Sequence, residues 1–185
     1  MIAIRPRRED DLARCVEILV QVHRADRYPV VWPPEPTRWL TPRNLRGVWV
    51  AEHEGRVVGH VAACDATGDP AAGLLTERTG LPTSQMAVVS RLFVDPAARG
   101  LEVGGWLMAT VGMYAREHDL RLVLGALDVH TGAAGFYDRL GWRRLGTVDF
   151  TLSDGSVRPM HCYTEPDALP RSTCRPPTTP VRPGR

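Results

Sequence analysis

The stretch SRLFVDPAARGLEVGGWLM, residues 90–108, passes from an apolar run through a turn of small residues into a pattern of helical period. Leu92, Phe93 and Val94 favour extended backbone, and Asp95-Pro96 ends it. Beyond the turn, Gly104 and Gly105 introduce Trp106, Leu107, Thr110, Val111 and Tyr114, a spacing near 3.6 that continues to His118. A strand, a tight turn and a helix in immediate succession make a seat for an anion. The free N–H groups of the turn point outward with the helix dipole behind them, so a pyrophosphate can be cradled without a basic side chain. The plainer reading of the same pattern is an αβ unit that uses glycine only to turn.

The flanking sequence supplies further strands and helices. Residues 2–4 are short and apolar, and Glu9-Asp10-Asp11 opens a helix with Leu12, Val16, Leu19, Val20 and His23 on one face. Residues 28–42 hold five prolines and two tryptophans, which forbids a long helix and predicts a loop with one short helical turn. Residues 48–52 and 56–65 read as adjacent antiparallel strands joined at His53-Glu54-Gly55. Residues 66–84, rich in Gly, Pro and Thr, read as a long loop with a helical turn near 74–79. A strand over 86–94 leads into the turn. After the helix come a strand over 121–129, a helix over 131–140 closed by Gly141, and a strand over 142–150. Asp154-Gly155 turns the chain into a last strand over 158–163.

The composition bounds the function. The chain has 185 residues, 43% hydrophobic and 24% charged, which suits one packed domain. A net charge of +2 is too small to argue for a nucleic-acid partner. All 23 basic residues are arginine, which removes lysine nucleophiles, Schiff-base chemistry and a P-loop lysine together. Cys15, Cys64, Cys162 and Cys174 are far apart and form no CxxC pair, so reduced and mostly buried thiols are expected. The first residues lack the apolar stretch of a signal peptide, and no run of about 18 apolar residues occurs, so a cytoplasmic protein without a membrane partner is expected. Residues 165–185 contain six prolines and little that builds a core; they read as a disordered tail, and the folded domain as residues 1–164.

The run LFVDPAARG followed by VGG resembles motif A of the GNAT N-acetyltransferase superfamily, whose turn reads Arg/Gln-x-x-Gly-x-Gly/Ala. Arg99 and Gly104 match the first and last positions, whereas Glu102 stands where the family has its middle glycine. LDVHTGAAGFYDRLGW is similar to motif B of that family through Ala133, Phe136, Tyr137, Gly141 and Trp142. The resemblance covers nearly all of residues 1–164. It implies an α/β (α+β) fold: a mixed, mostly antiparallel central sheet of about seven strands, helices on both faces, and a V-shaped opening between the middle strands.

It also implies acetyl-CoA, or another acyl-CoA, as co-substrate, with the pyrophosphate on Arg99, Gly100, Leu101, Glu102, Val103, Gly104 and Gly105. By position, Leu92, Phe93 and Val94 would bond the pantetheine arm, and His130 falls where many members carry a cofactor-binding asparagine. Tyr137 matches the family's general acid for the departing thiolate; packing beside Phe136 is the alternative for it.

The base is open. Asp128 matches an acid that serves as base in some members; capping the next helix is the alternative, and the slightly favoured one. His60 and His161 are further candidates because imidazole titrates near neutrality, although a strand histidine is often only packed. Tyr28, Trp32 and Trp39 either wall an acceptor pocket or cover the core. No cysteine matches a catalytic position and no metal is implied. The resulting expectation is transfer of acetyl from acetyl-CoA to a primary amine by direct attack, on a small molecule or on a protein N-terminus or lysine. A non-catalytic acyl-CoA or small-ligand binding module is the alternative, and a homodimer is left open.

Overall fold

The computed structural model describes residues 1–129 and 131–166. The readings made for His130, Cys174 and the tail from residue 167 onward lie outside the described residues. Seven strands form one sheet: β1 (Ile2–Pro6), β2 (Leu45–His53), β3 (Arg56–Asp65), β4 (Met86–Val94), β5 (Arg121–Leu127), β6 (Arg143–Thr151) and β7 (Val157–Thr164). Their order is β1-β2-β3-β4-β5-β7-β6, and every neighbouring pair is antiparallel except β4 with β5.

Among the described residues, five α-helices cover the sheet: α1 (Leu12–Asp26), α2 (Pro36–Leu40), α3 (Pro70–Thr79), α4 (Val103–Glu117) and α5 (Thr131–Arg139). Strand alternation divides the core between the two faces. Leu122, Leu124 and Ala126 of β5 join Val103, Leu107 and Val111 of α4 on one face. Val123 joins Ala71, Ala72 and Leu75 of α3 on the other, while Ile18, Leu19 and Val22 of α1 pack with Val50 and Phe93. Each such aliphatic side chain taken from water contributes about 1.5–3 kcal/mol before entropy is counted. The seven-strand, mostly antiparallel sheet expected from the motifs is therefore the sheet observed.

Two expectations change. The segment over 66–84 is not mainly loop: α3 occupies ten residues of it, from Pro70 to Thr79. Asp69 caps the helix by accepting from the amides of Ala71 and Ala72, Pro70 takes the first helical position, and Gly80 ends the helix at φ 74°. These start and stop signals outweigh the local Gly and Thr content because the Ala71, Ala72 and Leu75 stripe is buried against the sheet. Glu165, expected at the start of the tail, is tied to the domain. Its carboxylate accepts from the Leu122 amide at 2.8 Å and its backbone amide donates to the Leu122 carbonyl at 3.1 Å.

Candidate active site

β4 and β5 pair only over Met86–Val88 and Arg121–Val123. Beyond Val88 the strands part, so the β5-facing backbone of the second half of β4 has no strand partner, and an opening runs through the sheet. A cleft of about 1020 Å³ fills this opening, lined by Val88 to Val94 on one side and Gly125 to Leu127 on the other. Its size suits a ligand larger than a single small metabolite.

β4 is distorted where it parts. Ala62 pairs with Ser90 and His60 with Phe93, so Arg91 and Leu92 together oppose Val61 in a bulge. Arg91 takes φ 53°, a left-handed conformation that costs a side-chain-bearing residue about 1–2 kcal/mol and needs external support. That support is present. His60 Nδ1 donates to the Arg91 carbonyl at 2.8 Å, and the Tyr28 hydroxyl shares a backbone hydrogen bond with Arg91. The Arg91 guanidinium donates to the Trp39 carbonyl and to Ser90 Oγ and lies 4.8 Å from the centre of the Trp39 ring.

His60 is fully buried and does not border the cleft. Because a guanidinium only donates, Arg7 Nη1 at 3.0 Å fixes His60 Nε2 as acceptor and Nδ1 as the protonated nitrogen. Burial, with the Arg7 and Arg91 charges in the same sense, pulls its pKa down to about 3. The His60 proposed as a base is thus a neutral anchor of the bulge, with both ring nitrogens occupied.

On the α4 face, the turn enters the helix through Gly100 at φ 83° and Glu102 at φ 58°. Glycine adopts such angles freely, whereas Glu102 adopts them against its Cβ. Its side chain makes no capping bond and is exposed. The first helical bond of α4 runs from the Trp106 amide to the Glu102 carbonyl, which leaves the amides of Val103, Gly104 and Gly105 without intrahelical acceptors. A Cβ on Gly104 would come within 3.1 Å of the Phe136 ring, so a side chain here would require that ring to shift by a few tenths of an ångström. Asp95 holds the turn from below: it accepts from the Ala97 amide at 3.0 Å and pairs with Arg14 at 2.6 Å.

Of the turn residues, Arg99 borders the cleft, and it is ion-paired with Asp26 at the end of α1. Gly105 borders instead a separate hollow of about 660 Å³ along α4. Leu92, Phe93 and Val94 all line the cleft. Tyr137 lines it from α5, with ring centres 5.6 Å from Tyr163 and 6.0 Å from Trp142. Burial, reinforced by the nearby Tyr28 and Tyr163 phenols, raises its pKa well above that of free tyrosine, so the phenol stays protonated.

Tyr28 and Trp39 line the opposite side, their rings edge-to-face at 6.1 Å. Burial pushes the Tyr28 phenol up to about 12. Trp32 lies away from the cleft and packs on His23 at 5.1 Å, so the aromatic trio expected around an acceptor divides into two wall residues and one packing residue.

Asp128 and His161 meet each other, Oδ1 to Nε2 at 3.0 Å, but neither borders the cleft. His161 also contacts Thr147 and Arg144, and the Asp128 side chain is 60% exposed. Sequence reasoning named these two residues separately; β7 beside β5 makes them a surface pair.

Among the cleft residues that the sequence reading missed are Arg91 and Asp69. A left-handed arginine inside a strand leaves no sequence signal. The dipeptide Asp69-Pro70 does mark a helix start, but nothing in it says that the helix opens onto the cleft. Cys15, Cys64 and Cys162 are buried and free, and burial pushes the Cys15 and Cys162 thiols up to about 11. Among the described residues, no cluster of three or more His, Cys, Asp or Glu side chains is arranged to hold a metal, and no helix is long and apolar enough to cross a membrane.

The model of the acetyltransferase (GNAT) domain matches residues 44–144. An uncharacterized N-acetyltransferase from Methanocaldococcus jannaschii is 31% identical over 150 residues, covering 78% of this chain; the chain spans 62% of that protein's length. Among solved structures, Arabidopsis thaliana NAA60 in complex with acetyl-CoA is similar at a TM-score of 0.67 and 19% identity, covering 89% of this chain and 97% of that one. The ribosomal-protein-alanine N-acetyltransferase from Brucella melitensis is similar at a TM-score of 0.63 and 23% identity, covering 88% and 98%. At these identities the two structures share the fold.

Proposed function

Because the chain belongs to the GNAT acetyltransferase family, we propose that it transfers an acetyl group from acetyl-CoA to a primary amine by direct attack. The observation that carries this reading is the parting of β4 from β5 beyond Val88, which opens unpaired strand backbone onto a cleft that Arg99 and Tyr137 also border. Unpaired strand amides suit the amide groups of a pantetheine arm and, near Phe93 or Val94, a developing oxyanion. The free amides at the start of α4 suit the pyrophosphate. Tyr137, held protonated, is the acid for the leaving thiolate; the desolvation that raises the phenol also raises the proton affinity of a thiolate formed beside it.

The acceptor enters from the side of Tyr28 and Trp39. Their edge-to-face pair narrows that side, which favours a small amine over a protein surface. Arg27, Arg91 and Arg99 line the cleft against Asp26 and Asp69, so an acceptor with several positive charges is disfavoured.

The test is calorimetric titration with acetyl-CoA, paired with a thiol-release assay over a panel of primary amines. Binding together with amine-dependent thiol release is the expected result. Binding without release for any amine would replace catalysis with ligand sensing, and absence of binding would remove both.

A further inference from the structure

The reaction needs its amine neutral, and β4 offers no acid for the purpose between Met86 and Val94. Two carboxylates line the cleft, Asp26 and Asp69. Asp26 is taken by Arg99. Asp69 sits at the head of α3 and uses one oxygen, Oδ1, for both capping bonds, 2.8 Å from the Ala71 amide and 3.3 Å from that of Ala72. Its second oxygen, Oδ2, has no hydrogen bond or ion pair among the described residues.

Asp69 borders the same cleft as Tyr137 and the unpaired stretch of β4. α3 lies on β5, β7 and β6, and the same cleft that Asp69 borders is lined by Val88, the last residue of β4 that pairs with β5. Gly125 and Met160 line it with Asp69. Oδ2 is not sealed from solvent, because every sealed side-chain oxygen among the described residues has a partner, so a ligand that enters the cleft can reach it. Burial raises the Asp69 carboxyl above the ordinary carboxylate range, which increases its affinity for a proton.

We propose that Asp69 is the carboxylate that receives the acceptor's ammonium and takes its proton, which makes the loop before α3 part of the acceptor site. The inference rests on the acetyltransferase reading above and adds to it the residue that activates the amine. Oδ2 accepts one proton from the ammonium. The freed lone pair forms the C–N bond at the thioester carbonyl carbon, collapse of the oxyanion breaks the C–S bond, and the thiolate takes the Tyr137 phenolic proton. The second amine proton restores Tyr137, and Asp69 gives its proton to water. One ammonium and one thioester thereby become one amide, one thiol and one released proton.

Asp69→Asn and Asp69→Ser separate this role from capping, because Asn and Ser cap a helix about as well as Asp. The full chain and both variants are titrated with butylamine, phenethylamine, alaninamide and a trialanine peptide, with and without saturating CoA, and assayed for thiol release. At least one amine is expected to bind the unaltered protein, to bind both variants at least about tenfold more weakly, and to lose about 10²-fold in kcat/KM, while acetyl-CoA affinity and melting temperature hold. If no amine binds the unaltered protein, or if a folded variant keeps amine binding and turnover within about threefold, Asp69 is not the acceptor carboxylate. Failure of acetyl-CoA to bind the unaltered protein is a separate result and overturns the acetyltransferase reading instead.

Discussion

On the α4 side of the parted strands the proposed ligand seat is backbone: the amides at the start of α4, the turn through Gly100 and Glu102, and the unpaired edge of β4. On the α1 and α3 side it is side chains brought from distant parts of the chain: Tyr28, Asp69, Arg91 and, from β7, Met160. On the function proposed above, the contrast follows from what each side would bind. A phosphate ester and an amide arm are met by repeating N–H and C=O groups, which any sequence supplies once the turn is made. An acceptor is distinguished by its own groups and so needs particular side chains at particular places. Variation in the first half is therefore limited by backbone geometry, and variation in the second by chemistry.

Three substitutions test this division. Tyr137→Phe bears on where the halves meet. It is expected to lower turnover by about 10²-fold with acetyl-CoA affinity nearly intact, as measured by thiol release and titration. Unchanged turnover would make Tyr137 a packing residue on Phe136, Trp142 and Tyr163 and leave the thiolate without its acid.

Glu102→Gly bears on the backbone half alone. It removes an exposed carboxylate from the turn and relieves a left-handed glutamate, so acetyl-CoA is expected to bind about three- to tenfold more tightly, more so at low salt than at high. Weaker binding would mean that the turn does not face the phosphates.

His161→Gln bears on what belongs to neither half. The His161–Asp128 pair lies off the cleft, and turnover is expected to change by less than about threefold. A fall comparable to that of Tyr137→Phe would draw the pair into the proton path and move the boundary of the site.

The two halves were unequally legible in the sequence. The β4–turn–α4 unit could be read because its parts are contiguous, and its departure at Glu102 was visible beforehand. Motif B marked Tyr137 and α5 for the same reason. Asp69 was hidden inside a segment read as loop, although Asp69-Pro70 and Gly80 bracket a helix there. His60 looked like a base because imidazole titrates near neutrality; only its complete burial and its two bonds, to Arg7 and to the Arg91 carbonyl, make it a neutral anchor.

What the sequence determined by itself is whatever depends on neighbours along the chain: the strand, turn and helix of residues 90–108, the motif B helix, the absence of lysine, and through these the family. What only the tertiary structure decided is whatever depends on neighbours across the sheet. The parting of β4 from β5, the pairing of Asp128 with His161, the separation of Trp32 from Trp39, and the arrival of Asp69 at the cleft all arise between residues far apart in the chain. The reason is physical: backbone dihedrals and capping are set within a few residues, whereas burial, ion pairing and proton affinity are set by whatever the folded chain brings within a few ångströms.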